Sequence, residues 1–300
     1  QIRANRRKAF LLVVFMGVLL LIMGFVVGEL VVPGSGLDGL TLACLLWLGL
    51  MLVNHFQGNR LFLTIAKARE IQRQDAPQLY NVVEEMCLAS GLQSPPRIYL
   101  IDDAAPNAFA TGRSPKHAAV AVTSGLLEIL DRNELQGVIA HELAHINNRD
   151  VMYVSLAGVM VGAVVILSDV VRFMRPHSER RRTSNSSGGN QTWVLLGVAF
   201  VILAPLMAQL LYLAISRRRE YLADACGALY TRYPEGLASA LEKITASAMT
   251  PAHTSRVLTP MYIANPLQKA GQKLAAWRST HPDTQERVAI LRAMGGKADV

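Results

Sequence analysis

The sequence predicts a membrane protein, mainly α-helical with a small β-sheet, in which four hydrophobic helices are joined to an α+β domain. Three observations predict it. Of the 300 residues, 51% are apolar and only 17% charged, whereas soluble domains carry about 25% charged residues. The apolar excess is gathered into four uncharged runs rather than spread along the chain. The polar blocks outside those runs mix β-prone segments with capped helical ones. This composition excludes disorder. Three cysteines without a C-x-x-C pair exclude a disulfide-stapled mini-protein and point to a reducing cytosol.

The first run is Ala9 to Gly28, enough for a bilayer core that takes about 20 helical residues to cross. It is too long for a signal peptide, and no small-x-small cleavage site follows it, so it reads as a retained anchor. Gly39 to Asn54 is the second run, Val151 to Ser168 the third, and Thr192 to Ser216, with Pro205 inside it, the fourth. Residues 1–55 are therefore expected to form two transmembrane helices. Residues 151–216 are expected to form a transmembrane or membrane-inserted hairpin, with a flexible Ser-, Gly- and Arg-rich loop at 176–191. Residues 56–150 and 217–300 are the two parts of one polar domain.

Orientation follows from Lys and Arg beside the spans. Arg3, Arg6, Arg7 and Lys8 precede the first run, and Arg60, Lys67, Arg69 and Arg73 follow the second, whereas the turn at 32–38 has no basic residue. The polar domain is thus expected on the cytoplasmic side. The net charge of +8 is accounted for by these flanks. No basic stripe interleaved with aromatics suggests a nucleic-acid partner. The loop bearing Arg172, Arg175, Arg180, Arg181 and Arg182 opposes this tendency if the third and fourth runs both cross. Either earlier segments fix the topology or the pair dips in without crossing; two true spans are the preferred reading.

In the first polar block, Asp75-Ala-Pro77 starts a helix that Gly91 stops. Arg97–Ile101, Ala108–Thr111 and His117–Thr123 read as strands, followed by a short helix at Gly125–Leu130. Asn133 reads as the cap of a long helix, with Gln136 completing a capping box. In the second block, helices are expected at Arg217–Tyr230, Pro234–Ser247, Pro266–Trp277 and Asp283–Met294.

The helix after Asn133 contains His141-Glu142-Leu143-Ala144-His145. Histidines at i and i+4 leave one face of a helix one turn apart and can close on one metal ion. Glu142 projects beside them, within reach of a water at the metal. This is the H-E-x-x-H zinc pattern. A catalytic zinc takes three protein ligands and keeps one open position. The best third candidate is Glu220, with Asp224 one turn later on the same face; Asp224 is suited to accept the free ring N–H of a ligand histidine. A solvated i,i+4 acid pair among arginines is the competing reading of Glu220 and Asp224.

The H-E-x-x-H run, the later Glu220-x-x-x-Asp224, Asn107-Ala-Phe-Ala-Thr-Gly112, Ser279-Thr-His-Pro282 with Arg287, and the placement of the four apolar runs together resemble the HtpX-like membrane metalloproteases. These are relatives of the C-a-a-X prenyl-protein endopeptidase. The resemblance covers nearly the whole chain. It implies a zincin-type (gluzincin) catalytic domain in an integral protein of the bacterial inner (plasma) membrane, active in stress response and membrane-protein quality control. It implies that His141, His145 and Glu220 hold one Zn2+, that Glu142 is the catalytic base, and that Asp224 supports the ligands. It further implies that Asn107, Ala108 and Phe109 line the substrate cleft and that His281 and Arg287 lie near the site. Both are plausible donors to a tetrahedral oxyanion, although Arg287 could instead pair with Asp283.

The expected reaction is hydrolysis of peptide bonds in membrane proteins or membrane-tethered polypeptides, with lipid as the other partner. If the motif helix is continuous, Val151 lies about 9 Å beyond His145 along its axis, which would set the site just beneath the membrane surface. One rival is a catalytically silent zinc-binding scaffold or chaperone. Another is an intramembrane metalloprotease, disfavoured because Asp131, Arg132, Glu134, Arg149 and Asp150 flank the motif. A channel has the weakest support, from Asp169 alone.

Overall fold

The computed structural model describes parts of 11–31, then residues 32–112, 114–151, 217–247, Ile263 and 282–296, with the side chains of 53–59 excepted. Cα packing divides the chain into two units. One comprises Gln1–Asn5, Gln57–Ser155 and Ala214–Val300; the other comprises Arg6–Phe56 and Leu156–Leu213.

In the second of these units, the described positions within 11–29 are helical, and helix α1 spans Gly36–Ile65, of which the part up to Phe56 belongs to this unit. The two helical segments touch through glycines: a Cβ on Gly39 would lie 2.1 Å from the Gly24 carbonyl oxygen. The turn between them is held by Glu29, whose carboxylate accepts from Gly34 N (3.0 Å) and Gly36 N (3.1 Å), the latter at the start of α1. Leu37, Leu42, Leu45, Leu48 and Leu52 are exposed along α1. Among the described residues, no helix is long and apolar enough to cross a membrane. The third run beyond Val151, the fourth run, the loop 176–191 and the expected helix at Pro266–Trp277 lie outside the described residues.

The other unit carries a four-stranded mixed sheet, β1 (Arg69–Glu70), β2 (Arg97–Ile101), β3 (Ala108–Gly112) and β4 (Ala118–Thr123), in the order β1-β2-β4-β3. Only β2 and β4 run parallel. The three expected strands are present. β1 was not expected, because two exposed polar residues have no apolar alternation to reveal them.

Helix α2 (Pro77–Ser90) has Pro77 in its first turn and ends at Gly91, whose φ of 71° only glycine adopts without strain. Its N-cap is Ala76, and the Asp75 carboxylate instead accepts from Gln72 N. Thr123 caps the short helix α3 (Ser124–Ile129) by accepting from Leu126 N. Among the described residues, helices α5 (Arg217–Thr231), α6 (Pro234–Ala246) and α7 (Thr284–Gly295) follow, and Asp283 caps α7.

The motif helix α4 spans Arg132–Asn147 and sits at the centre, packed by α2, α5, α6 and β3. Leu135, Val138, Ile139, Leu143 and Ile146 are all buried, so the helix meets protein on every side. Its crossing with α6 is close: a Cβ on Gly137 would lie 2.6 Å from Leu237 N.

Two expectations about α4 are corrected. The capping box is Asp131 with Glu134, not Asn133 with Gln136. Glu134 N donates to Asp131 Oδ1 (2.9 Å), and Asp131 N donates to Glu134 Oε2 (2.8 Å). Asp131 has the extended backbone an N-cap needs, whereas Asn133 is already helical and Gln136 Nε2 reaches across to Glu85 on α2. Nor does α4 run unbroken towards Val151. It ends at Asn147, and Arg149 takes a φ of 59° before helical backbone resumes at Asp150. The axial distance that assumed a continuous helix does not apply.

Candidate metal centre

The site is built where α4 crosses α5. Both elements present their polar residues one turn apart, His141 and His145 from α4 and Glu220 and Asp224 from α5. One ligand atom from each of His141, His145 and Glu220 lies within 4.8 Å of the others. The ring nitrogens His141 Nε2 and His145 Nε2 are 3.1 Å apart. Glu220 Oε2 is 3.8 Å from the first, and its Oε1 is 3.6 Å from the second. His141, Glu142 and Glu220 are buried, while His145 keeps partial access.

Each imidazole turns its other nitrogen to a carboxylate. His141 Nδ1 lies 2.9 Å from Asp224 Oδ1, a close ion-pair contact rather than a well-aligned hydrogen bond. His145 Nδ1 lies 3.3 Å from Asp150 Oδ2. With Nδ1 of each ring turned to a carboxylate, the two Nε2 atoms face one another; a proton on His145 bridges them when no metal is bound, and a shared cation would take its place. Nitrogens on one tetrahedral zinc at about 2.0–2.1 Å are about 3.3–3.4 Å apart, close to the 3.1 Å found. The donor set thus fits a metal ion.

The electrostatics follow from burial. Desolvation pushes the Glu142 carboxyl above its ordinary range and Glu220 adds to this, partly offset by His141, His145 and the Ala110 backbone hydrogen bond. Burial alone would lower His145, but Asp150 and the neighbouring Glu220 and Glu142 reverse this and hold it at about 9 when no metal competes for the ring. Burial would likewise raise Asp224; Arg287 and His141 outweigh it and bring it to about 2.

Arg287 is 1% exposed and belongs to α7. Its Nε and Nη2 donate to the two oxygens of Asp224 at 2.8 and 2.7 Å, and its Nη1 donates to the Ile263 carbonyl at 3.2 Å. It does not pair with the Asp283 carboxylate, which caps its own helix. Asn107 is buried, and its Oδ1 accepts from Ala108 N (2.9 Å) and from Ile263 N (3.3 Å). It thus binds main chain, but of this chain itself. Ala108 O also accepts from Ile263 N. Phe109 is buried and pairs with Ala121 of β4. His281 lies outside the described residues. Three contributors were missed by sequence reasoning: Asp150, Arg219, whose Nε is 3.7 Å from Asp150 Oδ1, and the Ala110 main chain. No spacing rule marks a carboxylate five residues after a histidine or a main-chain donor.

Residues 73–295 match peptidase family M48. The chain belongs to peptidase family M48. Its M48 relatives include the protease HtpX homolog of Dictyoglomus turgidum, 43% identical over 298 residues, covering 98% of this chain and 94% of that one. The HtpX homolog of Tropheryma whipplei (strain Twist) is 45% identical over 254 residues, 84% of each chain. That of Ralstonia nicotianae is 40% identical over 294 residues, 97% of this chain and 96% of that one. A crystal structure of S. mikatae Ste24p shares the fold, with a TM-score of 0.50 and 16% identity over 96% of this chain. This chain spans 65% of the length of that solved one. The M48 chain is accordingly an HtpX-type metallopeptidase, a hydrolase, on a mainly helical fold with a mixed sheet. A catalytically silent scaffold is set aside.

Proposed function

We propose that this chain is a zinc-dependent endopeptidase that cuts membrane proteins or membrane-tethered polypeptides at the cytoplasmic surface, in the quality control of membrane proteins. The observation that carries the zinc reading is the convergence of two Nε2 atoms and the Glu220 carboxylate in a buried crossing. His141, His145 and Glu220 hold the metal, the His2Glu set of open catalytic zinc sites. Zinc supplies an acidified water and a Lewis acid for the carbonyl.

The chain's own residues do the rest. Glu142 takes the proton of the attacking water on its carboxylate and passes it to the departing amine; a carboxyl raised by burial is suited to both tasks. Asp224 keeps His141 turned so that Nε2 faces the centre, and Arg287 holds Asp224 in place. We assign Arg287 to that positioning role instead of donation to an oxyanion, because Nε and Nη2 are on Asp224 and Nη1 is on the Ile263 carbonyl. Strand β3, with Asn107, Ala108 and Phe109, is the edge of the sheet packed against α4 and forms a wall of the substrate cleft, with Ile263 N of this chain on Asn107 and Ala108.

The membrane reading rests on the four apolar runs, one of which begins at Val151 directly after the motif, and on the exposed leucines of α1. Two true spans at 151–168 and 192–216 place Ser184 outside. Labelling Ser184→Cys from each side of the membrane tests this, and labelling from the cytoplasmic side alone would show a pair that does not cross. Glu142→Gln is expected to reduce cleavage about 10²- to 10⁴-fold while zinc content stays unchanged. Wild-type cleavage by that variant would remove Glu142 from the mechanism. Faster cleavage is expected when an unfolded segment is anchored in lipid than when the same segment is free; equal rates would discard the membrane-substrate reading.

A further inference from the structure

We propose that Asp150 is a positioning residue for the metal ligand His145, set in place by a helix break at Arg149 and held there by Arg219. The inference rests on the reading of His141, His145 and Glu220 as the metal ligands.

The geometry begins with the break. On a continuous α-helix a residue five positions after His145 stands about 140° around the axis and about 7.5 Å further along. Its carboxylate could not meet the ring. α4 instead stops at Asn147, Arg149 N bonds back to Ile146 O, and Arg149 adopts a φ of 59°. That conformation is disfavoured for a non-glycine residue, and such backbone strain is found where a function needs the geometry. Its result is that Asp150, 2% exposed, returns its Oδ2 to 3.3 Å from His145 Nδ1.

Asp150 is not alone. Arg219 Nε lies 3.7 Å from its other oxygen, Oδ1. Arg219 directly precedes Glu220 on α5, so one turn of that helix delivers both a metal-binding carboxylate and the cation behind Asp150. The result parallels the other histidine. His141 has Asp224 on Nδ1 and Arg287 behind Asp224; His145 has Asp150 on Nδ1 and Arg219 behind Asp150. Each carboxylate stands against Nδ1 and leaves Nε2 turned to the centre as the ligand atom. Each arginine lies against its carboxylate and holds it in orientation. Loss of such a partner typically weakens metal binding 10- to 100-fold.

The test is zinc affinity of the full chain in detergent, by competition with a chromophoric chelator, together with the visible absorption of the cobalt(II)-substituted protein. Asp150→Ala is expected to weaken zinc about 10- to 100-fold and to change the cobalt band. Arg219→Met is expected to weaken zinc by less, and the double variant to bind as Asp150→Ala does, because Arg219 acts through Asp150. Gly137→Ala, which strains α4 against Leu237 of α6 one turn before His141, serves as the control for general destabilisation. It should leave the cobalt band as in the wild type. His145→Ala should lose zinc. Wild-type affinity and cobalt spectrum in Asp150→Ala, with zinc lost in His145→Ala, would overturn the role of Asp150 alone. Retention of zinc by His145→Ala would overturn the underlying ligand assignment. Identical cobalt changes in Gly137→Ala and Asp150→Ala would reduce Asp150 to general packing.

Discussion

Replacing Arg287 by Met removes the cation from a buried carboxylate while keeping the length of the side chain. In the native chain the guanidinium makes two charge-assisted hydrogen bonds to Asp224, at 2.8 and 2.7 Å, with both residues almost wholly buried. Hydrogen bonds to charged groups contribute about 1.5–3 kcal/mol each. Breaking one side of a buried ion pair costs about 3–5 kcal/mol, in agreement with the lower part of that sum. Loss of Arg287 leaves burial to push Asp224 up from about 2 towards protonation, which limits the cost to this range. For a folded unit of 150–250 residues, each kcal/mol moves Tm by about 2–4 °C, so the expected fall is about 6–20 °C. The assay is thermal unfolding in detergent at neutral pH and fixed scan rate, followed by circular dichroism, for Arg287→Met, Asp224→Asn and the double variant. The double variant should be clearly less destabilised than the sum of the single ones, since the second change removes the charge that the first had stranded. A fall below 2 °C for Arg287→Met, or strict additivity, would refute the buried-pair account and return Arg287 to a role in catalysis.

Three further outcomes are expected. Glu220→Gln should lose bound metal in elemental analysis while its secondary structure persists, and zinc added after chelation should restore activity to the wild type but not to this variant. Glu134 has its carboxyl held below the ordinary carboxylate range: burial pushes it up, but Lys243, Ser239 and the Asp131 backbone more than compensate. A folded-state value below the unfolded one stabilises above the unfolded pKa and is lost as pH falls through the folded one, so Lys243→Met should flatten the decline of Tm in acid; an unchanged acid limb would remove Glu134 from that decline. Gly137→Ala places a Cβ 2.6 Å from Leu237 N and is expected to cost about 1–3 kcal/mol in denaturant unfolding; a neutral result would mean that α6 gives way easily.

The sequence by itself brought His141 and His145 to one helix face with Glu142 beside them, because an i,i+4 spacing on a helix fixes neighbouring side chains without any tertiary information. It indicated the three main strands and most helix ends through short β-prone and apolar runs, Pro77, Gly91 and Pro234. It also located the four apolar runs, through length and absence of charge alone. Tertiary structure decided what links distant segments. Glu220 meets the histidines only because α5 crosses α4, and Arg287 meets Asp224 only because α7 packs on α5. The cap moved from Asn133 to Asp131 because several polar residues in a row can each cap, and the packing of Gln136 on Glu85 and of Glu134 on Lys243 chose among them. Asp150 could not be read at all. Its approach to His145 depends on one left-handed residue, Arg149, which local propensity disfavours and which the surrounding fold imposes.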